Sequence, residues 1–116
     1  MAITNFLPLG SVVLLENGNH PIMVVARALQ VKKDDQIYFF DYAGVAYPEG
    51  LTGEQLYYFN NDWIKQISFI GFNDEFNREA QVDIQQYIER LGEIKRYPKP
   101  GSEPQAPQNQ DDDQNK

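Results

Sequence analysis

The stretch SVVLLENGNHPIMVVARALQVKKDDQIYFFDYA, residues 11–43, determines the predicted fold. It contains three runs rich in β-branched and aromatic residues, separated by short polar segments. The first separator, NGN at residues 17–19, supplies the glycine and asparagine that tolerate positive φ angles in tight turns. The second separator is the polar segment 32–35. The sequence therefore predicts strands at residues 11–15, 22–31 and 37–43, and short connections of this kind favour an antiparallel meander.

A fourth strand and a helix are predicted downstream. Residues 64–72, IKQISFIGF, read as a strand, and residues 75–91, EFNREAQVDIQQYIERL, carry apolar residues at spacings of three and four. Asn73 and Asp74 supply an N-cap before this helix, and Gly92 is a plausible stop after it. The predicted apolar face consists of Phe76, Ala80, Ile84, Tyr87, Ile88 and Leu91.

These elements predict an α+β fold. We expect a small curved antiparallel β-sheet, or a partly open barrel, of four to five strands with one C-terminal amphipathic helix. The helix is expected to pack on the protein's own sheet, and its display to a partner is the alternative. Residues 1–97 form the predicted single domain. Residues 98–116, with four of the seven prolines and no large apolar residue, are predicted to be a disordered acidic, proline-rich tail.

Composition excludes several classes of protein. The chain of 116 residues has a net charge of −7 and no cysteine, so thiol chemistry, disulfides and thiolate metal sites are absent. No run approaches the length of a membrane span, and the first thirteen residues do not resemble a signal peptide. The absence of cysteine is compatible with a reducing cytoplasm. The acidic balance also opposes binding to the phosphate backbone of nucleic acids.

Motifs for catalysis or cofactor binding are missing. His20, the one histidine, lies in a turn before a proline with no recognisable nucleophile beside it. Neither GxGxxG nor a phosphate-binding loop occurs, and one histidine cannot build a zinc site. The carboxylates that flank the strands, Asp41, Glu49, Glu54 and Asp62, have no spacing that specifies an acid–base pair. The sequence thus predicts no enzyme activity, no cofactor and no metal.

Aromatic residues give the strongest positive signal. On a strand, Phe39 must point away from the face shared by Tyr38, Phe40 and Tyr42, and Tyr58 away from Tyr57 and Phe59. One set is expected in the core, and the other is expected to contact a partner, because interface cores are rich in aromatic side chains. Tyr47, Tyr57 and Phe59 are assigned to the core. The predicted partner-binding residues are Tyr58, Phe39, Tyr47, Glu49, Leu51 and Trp63, so Tyr47 stands in both groups.

Three stretches together resemble a known family. LPLGSVVLLENGNHPIMVVAR, FFDYAGVAYPEGL and YYFNNDWIKQISFIGFNDE are similar to the bacterial domains of unknown function numbered 4176 (DUF4176). The similarity extends over about residues 6–90. Its most specific parts are LPLGSVV at residues 7–13, DY at 41–42, YPEG at 47–50 and FN at 59–60.

The resemblance implies a biological setting. Members of this family are encoded in type VII secretion gene clusters of Gram-positive bacteria, near toxins with the helical LXG domain and small helical proteins with a WXG motif. This chain is not a WXG protein, because Trp63 is followed by Ile64 and Lys65. The resemblance transfers no catalytic residues. It implies a cytoplasmic chaperone, adaptor or targeting factor for an LXG-type toxin, with associated small helical secretion factors as further partners.

The leading hypothesis is therefore a non-enzymatic protein-binding module. An immunity protein that blocks the neighbouring toxin is the first alternative. A small barrel that binds nucleic acid or a small ligand is the second.

Overall fold

The computed structural model describes residues 5–100, which contain one sheet and one α-helix. The elements are β1 (Val12–Leu15), β2 (Ile22–Lys33), β3 (Gln36–Ala46), β4 (Tyr57–Phe59), β5 (Ile64–Phe69) and α1 (Glu75–Leu91). A short 3₁₀ helix, Asn61–Trp63, precedes β5. The predicted α+β class and the C-terminal helix are confirmed.

The two hairpins follow the predicted turns. Lys33 pairs with Gln36, so only Asp34 and Asp35 connect β2 to β3. Both have positive φ, 54° and 65°, as in the type I′ turns that match the twist of paired strands. Asn17, in the turn between β1 and β2, has a φ of 69°. The polar residues in these separators thus fix the antiparallel register of the first three strands.

The sheet is open and has two unequal edges. Its order is β4-β3-β2-β1-β5, with every neighbouring pair antiparallel. The β4 edge is three residues long, whereas the β5 edge is six. Irregularities in register between β2 and β3 and between β1 and β5 bend the strands, as bulges do. The sheet does not close into a barrel, since β4 and β5 do not pair.

The main core cluster lies between the sheet and α1. Tyr42 stacks on Phe59 with ring centroids 5.3 Å apart, and Phe40 meets Trp63 edge to face at 6.2 Å. Aromatic pairs in these geometries stabilise a core beyond the burial of their area. The buried cluster comprises Phe6, Val13, Ile22, Val24, Phe40, Tyr42, Phe59 and Trp63.

Helix α1 begins and ends where the capping residues predict. The Asp74 side chain accepts a hydrogen bond of 3.0 Å from the Asn77 amide, and Gly92 follows the last turn with a φ of 73°. Ile84 and Ile88 pack on the core cluster, as predicted for a helix that covers its own sheet. Phe76 does not: it is 81% exposed, so its assignment to the packed face is wrong. It is the second residue of α1 and lies on the outer side of the first turn.

The segment after α1 covers β3 where β4 does not reach. The Phe39 amide donates to the carbonyl of Lys95 (2.7 Å), and Arg96 forms an ion pair of 2.8 Å with Asp41. The Tyr97 ring stacks 5.9 Å from that of Phe40. This segment explains why both faces of β3 are buried from residue 39 to residue 45.

Several boundaries differ from the sequence prediction. The third strand runs on to Ala46. β4 forms at Tyr57–Phe59, where the sequence indicated only that successive side chains would point to opposite faces. The fourth predicted strand ends at Phe69 rather than residue 72, because the chain then turns to meet the N-terminal segment. Within residues 5–100 no helix has the length and apolarity needed to cross a membrane. Most of the predicted tail, residues 101–116, lies outside the described residues.

Candidate functional site

Two of the predicted partner-binding residues are in the core. Phe39 is 1% exposed, beneath the segment around Arg96, whose guanidinium carbon lies 5.0 Å from the centre of the ring. Trp63 is 8% exposed and packs against Phe40. Contact with a partner requires exposed side chains, and neither Phe39 nor Trp63 is exposed. The alternation rule assumed one buried sheet face, and β3 has two.

The other four are exposed and lie on β4 or in the connection between β3 and β4: Tyr47, Glu49, Leu51 and Tyr58. We call these four residues the loop surface. Leu51 is 60% exposed and Tyr58 36%, the latter with its ring 5.5 Å from that of Phe40. Tyr47 is 45% exposed, so its assignment to the core is wrong, because it lies in the turn after β3. Phe59 is fully buried and Tyr57 half-buried, in agreement with the predicted core set.

His20 and Glu49 meet on the loop surface. The imidazole Nε2 lies 2.9 Å from the carboxylate Oε1, and both side chains are about half exposed. Hydrogen bonding to His20 lowers the pKa of the Glu49 carboxyl. This contact ties the turn after β1 to the turn after β3. It brings together one base and one acid at the protein surface.

Asp41 and Asn60 connect β3, the end of β4 and the C-terminal segment by hydrogen bonds. The Asp41 carboxylate accepts hydrogen bonds from the Asn61 amide (2.7 Å) and from Arg96, while the Asn60 side chain accepts from the Asp41 amide (2.9 Å). Asn60 also donates to the carbonyl of Tyr97 at 3.2 Å. Asp41, predicted as a carboxylate of uncertain role, is therefore a buried anchor for the C-terminal segment. No group of residues suited to metal binding occurs within residues 5–100.

Ser11 anchors the point where β5 ends. Its hydroxyl donates to the carbonyl of Pro8 (2.7 Å) and accepts from the amide of Gly71 (2.9 Å). A Cβ at position 71 would overlap the carbonyl oxygen of Leu9, so only glycine allows this close approach. The LPLGS stretch therefore fixes the direction in which the chain leaves the sheet.

An apolar surface lies directly beyond this anchor. Phe72 and Phe76 are 80% and 81% exposed, and Leu9, beside Gly71, is 48% exposed. We call these three residues the Phe72/Phe76 surface. Single exposed apolar residues are ordinary, but two nearly fully exposed phenylalanines at one corner are typical of a contact site.

The start of α1 is rigid, which holds Phe76 in place. Asn77 accepts a hydrogen bond of 2.7 Å from Arg27 and donates one of 2.9 Å to Asn73. Gln81 accepts from the amide of Phe6 at 2.8 Å and donates to its carbonyl. Burial lowers the pKa of Arg27. These contacts fasten the inner side of the helix and leave the side carrying Phe76 outside.

Acidic side chains border the Phe72/Phe76 surface. Asp74, Glu75 and Glu79 lie in the cap and first turns of α1, with Arg78 as the one base among them. Neither Glu75 nor Glu79 forms an ion pair within the described part of the chain. Sequence reasoning missed this site because it placed residue 72 in a strand and Phe76 on a packed helix face. The cap at residues 73–74, between the two phenylalanines, was the available signal.

The comparison with protein families agrees with the motifs. The model of the family described as "Domain of unknown function (DUF4176)" matches residues 6–80. This chain belongs to the DUF4176 family. The match includes every residue of the Ser11–Gly71 anchor, the Asp41–Asn60 contact and the Phe72/Phe76 surface, whereas Arg96 lies beyond it. No curated protein and no solved structure matches the chain.

Proposed function

We propose that this protein is a non-enzymatic binding module that docks on another protein through the Phe72/Phe76 surface. The observation that carries the proposal is the exposure of the two phenylalanines, 80% and 81%, on a rigid corner of the fold. Burying an aromatic side chain of this size contributes about 1.5–3 kcal/mol to association. A rigid corner loses little conformational entropy when it binds, so more of this contribution appears as affinity.

The charges indicate the chemistry of the partner. The surface is bordered by three carboxylates and one guanidinium, and the whole chain carries −7. A complementary segment would present apolar side chains flanked by lysine or arginine. Charges at the rim of an interface mainly accelerate association and are screened by salt. Binding should therefore weaken as the salt concentration rises, without being abolished, because the apolar contact remains.

The family supplies the candidate partner. We propose an LXG-type toxin, bound in the cytoplasm by this protein as chaperone, adaptor or targeting factor before export, with small helical secretion factors in the same assembly. The support for this partner is the resemblance to DUF4176, a family whose members are encoded beside such toxins. The exposed aromatic corner supports protein binding in general.

Copurification with the toxin of the neighbouring gene tests this proposal. The full chain should copurify with the full toxin and with its N-terminal helical domain alone. Binding only to the toxin's C-terminal catalytic part would instead establish the immunity role. A chain that elutes alone when mixed with either part at micromolar concentration would contradict the proposal.

A further inference from the structure

The outer edge of β5 is a second candidate interaction surface. β5 pairs with β1 on one side, and no strand within residues 5–100 pairs with the other side. The opposite edge of the sheet is protected: β4 has three residues, and the segment at Lys95 covers the rest of β3. Unpaired edges attract further strands, and natural proteins shorten, charge or cover them. β5, with six residues and one charged side chain, is the less protected edge.

The side chains of this edge are also exposed and apolar. Ile67 is 48% exposed, Phe69 60% and Ile70 59%. Ile67 lies opposite Val13, which is fully buried, while Phe69 lies opposite Val12. Cross-strand partners point to the same face, so the edge carries apolar side chains on both faces of the sheet.

We propose that the β5 edge pairs with the β5 edge of a second copy, antiparallel and centred on Ile67. This register matches the sequence IKQISFI of residues 64–70 to itself. Ile67 then meets its own symmetry mate, and Ile64 meets Ile70 of the other copy. In the remaining positions Gln66 lies opposite Ser68, and Lys65 lies opposite Phe69.

Each of these pairs is compatible. Apolar residues face apolar residues, two polar side chains face each other, and the lysine faces an aromatic ring that a cation can contact. No like charges are directly opposed. The two Lys65 side chains would be separated by about four residues, or about 13 Å along the strands, which exceeds the screening length of about 8 Å at physiological salt. Repulsion between the two lysines therefore does not oppose this contact strongly.

The proposed two-fold axis at Ile67 passes through the most regular part of β5. The irregularities in its pairing with β1 fall at residues 65 and 68, on either side of Gln66 and Ile67, which keep consecutive partners. A two-fold axis at Ile67 would join two five-stranded sheets into one continuous sheet through an isologous contact. Ile70, the last paired residue, lies about 10 Å from this axis. The Phe72/Phe76 surface lies beyond it, so this inference does not depend on the proposed function.

Because the chain contains no cysteine, introduced cysteines can test the proposed contact by disulfide formation. In Ile67→Cys the two new thiols would be the only ones in the dimer, and directly opposed Cβ atoms lie about 4.5–5.5 Å apart. That separation is close to the ~3.5–4.5 Å of a disulfide. With oxidised glutathione as the oxidant, Ile67→Cys should become a covalent dimer that dithiothreitol reverses. Leu51→Cys, at a position that is 60% exposed against 48% for Ile67 but lies on the loop surface, is the control and should stay monomeric.

Two further measurements examine the register and the uncrosslinked state. A mixture of Lys65→Cys and Phe69→Cys should form the mixed disulfide in preference to either homodimer. The unmodified chain should sediment at twice its mass at micromolar concentration, and Ile67→Lys, which opposes two charges, should sediment as a monomer with unchanged circular dichroism. A monomeric unmodified chain, or Ile67→Cys that oxidises no faster than Leu51→Cys, would overturn the proposal.

Discussion

Removing the Arg96 guanidinium is expected to destabilise the fold substantially, although the residue lies near the end of the described chain. Arg96 donates a hydrogen bond of 2.8 Å to Asp41, whose side chain is only 3% exposed, and its guanidinium lies over the ring of Phe39. A hydrogen bond between charged groups contributes about 1.5–3 kcal/mol. The cation–π contact adds about 0.5–1 kcal/mol at a partly exposed site. Arg96→Ala should therefore lower the free energy of unfolding by about 2–4 kcal/mol.

Trp63 provides the assay. It is the one tryptophan of the chain, it lies in the core, and its fluorescence should report urea unfolding directly. Glu16→Ala is the control, because Glu16 pairs with Lys99 through partly exposed side chains, and such pairs contribute at most about 1 kcal/mol. A double-mutant cycle with Asp41→Ala should give a coupling energy of at least about 1 kcal/mol. If Arg96→Ala lies within about 0.5 kcal/mol of the unmodified protein, or the two changes are additive, the structural role given to the C-terminal segment is wrong.

Three further changes test separate contacts. Gly71→Ala should cost about 1–3 kcal/mol, because the new Cβ overlaps backbone, whereas Gly18→Ala meets only an ordinary contact and should be nearly neutral in the same urea titration. Tyr42→Phe should cost about 1–3 kcal/mol, because a part-buried backbone amide of the N-terminal segment loses its acceptor, the Tyr42 hydroxyl, 2.9 Å away. His20→Ala should raise the pKa of the Glu49 carboxyl, measured by carbon NMR titration. Since this pKa is lowered in the folded state, the stabilisation that it represents is present at neutral pH and is lost as the pH falls through it. An unchanged Glu49 titration would show that the pair does not form in solution.

The sequence predicts most of the elements because their signals are local. The turn residues Asp34 and Asp35, the cap Asp74 and the stop Gly92 all act within a few residues of the structure they determine. The fold class and helix bounds follow from them. The burial of Phe39 was not predictable in this way, since it depends on a segment near Arg96, more than fifty residues away in the sequence.

The candidate site shows the same limitation. Spacing placed Phe76 on the packed side of α1, but the side that packs carries Asn77, Gln81 and Ile84 and lies roughly 100° around the helix from Phe76. Ile84 and Ile88 lie on that side and pack on the core cluster, so the apolar spacing predicted the helix but not its exact rotation. The exposure of Phe72 depends on the contact between Ser11 and Gly71, sixty residues apart. Residue types alone indicated a partner-binding role for aromatics, and tertiary contacts decided which aromatics are accessible.

Measuring the affinity for the neighbouring toxin tests the central claim most directly. Titration calorimetry would compare the unmodified chain with Phe72→Asp/Phe76→Asp and with a matched double variant on the loop surface, Tyr47→Asp/Leu51→Asp. Loss of a central interface aromatic costs about 2 kcal/mol or more, so the first variant should bind roughly 30-fold or more weakly, or not at all. The second should bind within a few-fold of the unmodified chain. Undiminished binding by Phe72→Asp/Phe76→Asp, with loss of binding in the loop variant, would contradict the account and place the partner on the loop surface.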